Sequence, residues 1–329
     1  MIKTKIAREY RERFPDLPSL TLARKIYKDN LLVFNDIEDA RYAVRYIEGK
    51  TGGKNRKTTK MKQTPNARPL NPWKLPESYQ EKREPFVLPT ACNNILLISD
   101  IHIPYHDIDA VSIALDYGIE NKVNTIFING DLIDFHKISR FQTDPRKRSV
   151  KQEFEATDQF LTILRNAFPD AQIYWHYGNH DMRYEHWLMS KCVEIFDDEY
   201  YHLEQRLQLV QKKIHIISDK QLTKAGKLTI AHGHHIFKGV FTPVNPSRGA
   251  FLRAKQSMIV GHLHRPSHHP ETTADGEVIS CWSTGCLCEL KPDYSPQISN
   301  SMHGFAHIQI DKDKKYHVKN FTIINGKLY

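Results

Sequence analysis

After residue 93 the chain alternates between short apolar runs and longer periodic stretches. "NILLISD", "TIFING", "AQIYWHYG", "KLTIAHG" and "SMIVGH" are apolar runs that close on polar residues. Several are separated by stretches with helical spacing, such as "DAVSIALDYGIE" and "EATDQFLTILRNAF". Short buried strands alternating with helices predict an α/β layer fold. In such folds chemistry gathers just past the strand ends.

The first part of the chain follows another pattern. Residues 1–48 read as three short helices. Pro15 stops the first, Ser19 is placed to cap the second, and Asp36 to cap the third. In the third, Ile37, Ala40, Val44 and Ile47 fall on one stripe, with Arg41 and Arg45 off it. Three helices with a basic last one resemble a helix-turn-helix module, and any small helical bundle reads the same. Residues 49–90 read as a linker, rich in Gly, Lys and Pro and without a period. A third segment, 91–329, carries the strand-helix alternation.

Composition narrows the class. No apolar run approaches the roughly 18–20 residues that span a bilayer, and the charged N-terminus lacks a signal core. The expectation is a cytoplasmic protein with no membrane partner. Five cysteines, an odd number, do not suggest a disulfide framework. Cys281, Cys286 and Cys288 cluster without a fourth zinc ligand at familiar spacing, so they read as buried thiols. Net charge is +9. The first 90 residues hold 20 Lys/Arg against 11 Asp/Glu, and the remainder is balanced. A basic appendage on a neutral body fits a polyanionic partner or a solubilising tail.

Each predicted strand end carries potential metal ligands. "SDIH" supplies Asp100 and His102, and "GDLID" supplies Asp131 and Asp134. "GNHD" supplies Asn179, His180 and Asp181. "AHGHH" and "GHLH" supply His232, His262 and His264. Packing does not explain a ring of histidines beside carboxylates. Mixed imidazole and carboxylate donors suit Mn²⁺, Fe or Zn²⁺.

These motifs, in this order over roughly residues 94–265, resemble the calcineurin-like metallophosphoesterases, in a style similar to phage and bacterial members. The resemblance implies a four-layer α/β/β/α sandwich, with the helical N-terminus as a small all-α module and the strands at 277–329 completing the second sheet. It implies a site for two divalent metal ions, Mn²⁺ foremost. Asp100, His102 and His264 would hold one, Asn179, His232 and His262 the other, and Asp131 would bridge both. His180 would protonate the leaving group, oriented and kept charged by Asp134. Two cations roughly 3.5–4 Å apart offset a phosphoester's charge and lower the pKa of a water that attacks phosphorus in line.

The substrate is less constrained. Lys137, Arg140, Arg146, Lys147 and Arg148 make the segment after Asp134 basic, and Arg248, Arg265 and His234 lie near later motifs. With the basic N-terminus, they favour a nucleic-acid phosphodiester as substrate and nucleic acid as partner. The alternatives are a phosphomonoesterase acting on phosphoprotein or nucleotides, and a non-catalytic nucleic-acid-binding protein on the same fold. Within "YWHYGNHDMRYEHW" the three histidines divide. His176 reads as a satisfied scaffold residue on a strand, His180 as the acid, and His186 as a packing or surface residue. Gly178 would permit the turn, and Asp181 would tie down the loop or start the helix.

Overall fold

The computed structural model describes residues 2–51, 73–76, 83–139, 149–238, 244–292 and 299–329. The chain divides into two units, Met1–Glu81 and Lys82–Tyr329.

The first unit holds three helices, α1 (Ile2–Arg13), α2 (Ser19–Asp29) and α3 (Ile37–Ile47). Leu22, Ile26, Phe34, Ala40 and Val44 form their core. Asp36 caps α3 as expected, accepting from the Asp39 N–H at 2.7 Å. Ser19 does not cap α2. Pro18, fixed by its ring at φ −55°, occupies the cap position. Ser19 is thereby drawn into the helix, and its hydroxyl donates to Glu48 at 2.7 Å.

The second unit is built from two sheets. Its strands are β1 (Phe86–Val87), β2 (Asn94–Ile98), β3 (Thr125–Asn129), β4 (Gln172–His176), β5 (Ile214–Ile217), β6 (Thr223–Ala225) and β7 (Leu228–Ala231). Then come β8 (Met258–Val260), β9 (Ser267–Thr272), β10 (Val278–Ser283), β11 (His303–Ile310), β12 (Tyr316–Ile324) and β13 (Lys327–Leu328). Its helices are α4 (Ile108–Glu120), α5 (Val150–Ala167), α6 (Met182–Lys191), α7 (Leu203–Arg206) and α8 (Pro246–Ala254). A capping box of Ser149 and Gln152 starts α5 earlier than the expected Glu155.

The first sheet has the order β13-β12-β11-β2-β3-β4-β5, and the second β1-β6-β7-β8-β10-β9. β2 to β5 run parallel. Strand alternation explains the continuous apolar runs, because both faces are covered. Ile95 and Leu97 of β2 point into the core between the sheets, with Leu228, Ile230 and Ile259 opposite. Leu96 and Ile98 point the other way, against Ala114 of α4 and Leu161 of α5. On the outer face of the second sheet, Ala250 of α8 packs on Met258 and Val260. The unit is an α/β/β/α sandwich.

Two expectations change. Among the strands after residue 277, only β10 joins the second sheet. β11 instead pairs antiparallel with the open edge of β2, Ile308 opposite Ile95, and brings β12 and β13 with it. Ala306 and Ile308 of β11 are also part of the inter-sheet core. The expected linker, 49–90, ends in a strand, since β1 pairs parallel with β6.

Candidate metal centre

The loops following β2, β3 and β4 of the first sheet and β7 and β8 of the second converge. Their backbones are unusual. Asp100, His102, Asp131, His262 and His264 all have φ between 52° and 70°, a left-handed region that costs non-glycine residues energy and clusters at functional sites. Close approach is the other demand. A Cβ on Gly178 would lie 2.2 Å from Asp131 Oδ1, and one on Gly130 would lie 2.3 Å from His232 Nδ1. Gly178 has no positive φ, so it serves close contact rather than the turn.

Asp100 and Asp131 are each tied at one oxygen and free at the other. Asp100 Oδ2 accepts from the His262 N–H at 2.9 Å and from the Ser99 hydroxyl. Its Oδ1 faces His264 Nε2 at 3.3 Å and the Nε2 atoms of His102 and His232 at 4.0 Å. Asp131 Oδ1 accepts from the His180 N–H at 2.8 Å. Asp131 Oδ2 faces His232 Nε2 at 3.1 Å and His102 Nε2 at 3.9 Å, central to the cluster. The imidazoles are oriented from behind in the same way. His102 Nδ1 donates to Asp134 at 2.9 Å, and His232 Nδ1 donates to the Asn129 carbonyl at 2.7 Å. This turns Nε2 of both toward the cluster, with His102 Nε2 3.3 Å from His264 Nε2, the pattern that outer partners impose on metal-binding histidines. Burial opposes charge on His232, yet Asp131 raises its pKa to about 9.

The free atoms call for a cation. Asp100 Oδ1, Asn179 Oδ1, His232 Nε2 and His262 Nδ1 are buried without a hydrogen-bond partner. Each such atom costs about 1–3 kcal/mol if left unmet. Donor atoms of Asp131, His232 and His262 lie within 4.8 Å of one another, as do those of His102, Asp131 and His180, and those of His102, His264 and Cys288. These oxygen and nitrogen donors fit the dimetal site of a phosphoesterase. Cys288 was not expected beside it. Its buried thiol lies 3.9 Å from His264 Nδ1, behind that ring.

His180 is arranged differently from the expectation. Its Nδ1 donates to Asp134, with the carbonyl and Oδ1 both at 3.0 Å. Asp134 Oδ1 thus serves His102 and His180 together. Arg183 donates to His180 Nε2 at 2.9 Å and to the Asp134 carbonyl at 2.8 Å. A guanidinium has no acceptor, so this contact makes His180 a neutral imidazole. Burial, with His102 and Arg183, pushes its pKa below the ordinary value, against Asp131 and Asp134. Asp134 favours the charged form of His180, and Arg183, three residues further on, opposes it. On α5, the buried Glu153 has its carboxyl pushed up to about 8, by burial first and Asp134 next.

Asp181 ties the loops together. Its carboxylate accepts from the backbone N–H groups of Asp131, Leu132, Ile133 and Gly178 and from Trp175 Nε1, at 2.8–3.2 Å. It does not cap α6. His176 is buried on β4, but neither ring nitrogen has a hydrogen-bond partner, so it is not the satisfied residue expected. His186 is exposed on α6.

A cavity of about 910 Å³ opens beside the cluster, lined by Asn179, Arg183 and His234 among others. His234's ring lies 5.5 Å from His232's. Arg248 is exposed on α8 and does not line this cavity. Arg140, Arg146, Lys147 and Arg148 lie outside the described residues. Sequence reasoning missed Arg183 and Asp219. The signal for Asp219 was present, since "IHIISD" ends a strand as "NILLISD" does.

Among the described residues, no helix is long and apolar enough to cross a membrane. The gene 54 protein of Mycobacterium phage L5 is 26% identical over 234 residues, 66% of this chain and 89% of that protein. Among solved structures, Yfce, a phosphoesterase from E. coli, has 14% identity and a TM-score of 0.33 over 69% of this chain and 98% of its own. A Vps29 single mutant from Entamoeba histolytica has 15% identity and a TM-score of 0.37, over 72% and 96%. The profile of the calcineurin-like phosphoesterase family matches residues 94–296, a span that takes in all five ligand-bearing strand ends. With that match over most of the chain, and with the buried His/Asp cluster its chemistry requires, the protein belongs to the calcineurin-like phosphoesterases and is a metallophosphoesterase.

Proposed function

We propose that the protein hydrolyses nucleic-acid phosphodiesters. The observation that carries this reading is the lining of the 910 Å³ cavity beside Asn179. Lys137, Arg183, Lys191 and Lys220 face it, with Asp219 the one acid among the described lining residues, and Trp187 contributes an aromatic face. A chain of phosphates gains from several cations in a groove, and a base gains from a ring to stack on.

Asp100, His102 and His264 would hold one cation, Asn179, His232 and His262 the other, and Asp131 would serve both. Mn²⁺ suits this donor set, with Fe and Zn²⁺ as alternatives. When bound, the pair offsets phosphate charge and supplies a nucleophile at neutral pH. The chain's own residues do the remainder. Arg183 is placed to move from His180 Nε2 onto a phosphate oxygen. The arriving anion favours the charged form of His180, so that Nε2 carries a proton for the leaving oxygen. Asp134 holds Nδ1 and keeps the ring turned. In the helical unit, Arg45 and Tyr42 are exposed on α3, available to a nucleic acid as in a helix-turn-helix module.

Hydrolysis of bis-p-nitrophenyl phosphate with Mn²⁺, together with cleavage of DNA or RNA, is the expected result. Turnover of p-nitrophenyl phosphate alone sinks the diesterase reading in favour of a phosphomonoesterase. His180→Ala is expected to lower kcat by about 10²–10⁴-fold with metal content unchanged, and near-full activity removes its role as acid. DNA binding by the full chain is expected to exceed that of residues 82–329 and to weaken with salt.

A further inference from the structure

Outside the strand-end cluster, the described residues hold one more grouping of metal-type donors: Asp219, His234 and His235. Asp219 lies just beyond β5, the last of the parallel strands, and the two histidines follow β7. His235 Nε2 is 3.2 Å and His234 Nε2 3.8 Å from Asp219 Oδ2. The longer spacing exceeds a hydrogen bond. Together they bracket the roughly 3.3–3.4 Å between neighbouring ligand atoms around a tetrahedral ion with bonds near 2.0–2.1 Å.

A second observation points to an occupant. A cavity of about 60 Å³ is lined by Asp219, His234 and His235, and also by His176 and His232. It is large enough for an ion with a water. His176 is 1% exposed, and both its ring nitrogens lack a partner. An apolar filling would leave these nitrogens unmet.

We propose that Asp219, His234 and His235 form a third divalent-cation site, of the Zn²⁺ class, separate from the strand-end pair. Two imidazoles and a carboxylate leave one coordination position open, as in sites that also bind water or substrate. The His234 ring lies 5.5 Å from that of His232 and 6.1 Å from that of His262, so the ion sits beside the pair. The same three residues line the 910 Å³ cavity. There the ion adds positive charge where a phosphate next to the scissile one would run. That role rests on the nucleic-acid reading, and the site itself does not.

The test counts ions rather than turnover. The full chain is stripped with chelator, loaded with Zn²⁺, freed of excess by gel filtration and analysed for metal per chain. Asp219→Asn and His235→Asn are each expected to hold one ion fewer than the unaltered chain. His235 has a half-exposed side chain, so its replacement leaves the fold intact even where Asp219→Asn does not. In Co²⁺-loaded protein, His235→Asn is expected to lose part of the tetrahedral absorption band. Equal metal content in the unaltered chain and His235→Asn overturns the proposal, and so does an ion retained only at millimolar Zn²⁺. Failure of the nucleic-acid reading shows instead as absent diester cleavage with the ion count unchanged.

Discussion

In the helical unit, Asp36 caps α3, Lys3 pairs with Asp39, and Arg11 pairs with Glu48. No non-glycine residue among 2–51 has a positive φ. Around the metal cluster, five of seven candidate ligands have one, and buried donors stand without partners. In the first region, local preference and tertiary structure agree. In the second, the backbone is held against its preference by what surrounds it, chiefly the Asp181 carboxylate and the close contacts of Gly130 and Gly178. Such disagreement concentrates at functional sites, and here it locates the centre without reference to any relative.

The contrast can be broken at its strongest point by Asp131→Asn. Loss of the shared oxygen is expected to lower turnover by about 10³-fold or more, equivalent to several kcal/mol of charge stabilisation. The rise in Tm on adding Mn²⁺ is expected to vanish largely as well. A variant that keeps both would mean the strained loops are not held for a metal. Next is Asp181→Ala, which deprives five buried N–H groups of their acceptor. A loss of about 3 kcal/mol or more in urea unfolding is expected. A loss under about 1 kcal/mol would show that the loops hold themselves.

Arg183→Gln sharpens the contrast rather than breaking it. In the proposed mechanism protonated His180 is the acid, so activity is expected to fall as pH rises through its pKa. Arg183 is among the groups lowering that pKa. Its removal raises the value, and the alkaline limb of the kcat/KM profile is expected to move to higher pH. A limb that stays fixed or moves down contradicts the contact. The smallest effect belongs to the ordinary region. Asp36→Ala is expected to cost about 1 kcal/mol through a lost cap, with activity on small substrates unchanged.

The candidate ligands were legible because each is a polar residue stranded at the end of an apolar run, a pattern local to a few residues. All five runs became strands, with β2, β3, β4, β7 and β8 in the expected places. Sheet membership was not legible. β11 reads as a strand in either sheet, and its choice of β2 depends on an edge far away in the sequence. Arg183 was hidden for a related reason. An arginine on a helix is usually solvated, and this one finds its partners, His180 Nε2 and the Asp134 carbonyl, on the loops beside the helix. Ser19 was misread because the proline before it was the stronger signal.

β11 also fixes when the centre can exist. The loop carrying Asp100 and His102 leaves β2, whose far edge is covered by β11, and His307 of β11 bonds Asn94 across 213 residues. During synthesis β2 therefore carries an open edge, with the exposure to wrong pairing that this brings, until β11 has left the ribosome. Its other neighbour, β3, is made early and can wait in place. A strand made long afterwards completes the support of the first candidate ligands, so a chain cut short before residue 303 is expected to carry every candidate metal ligand and lack a working centre.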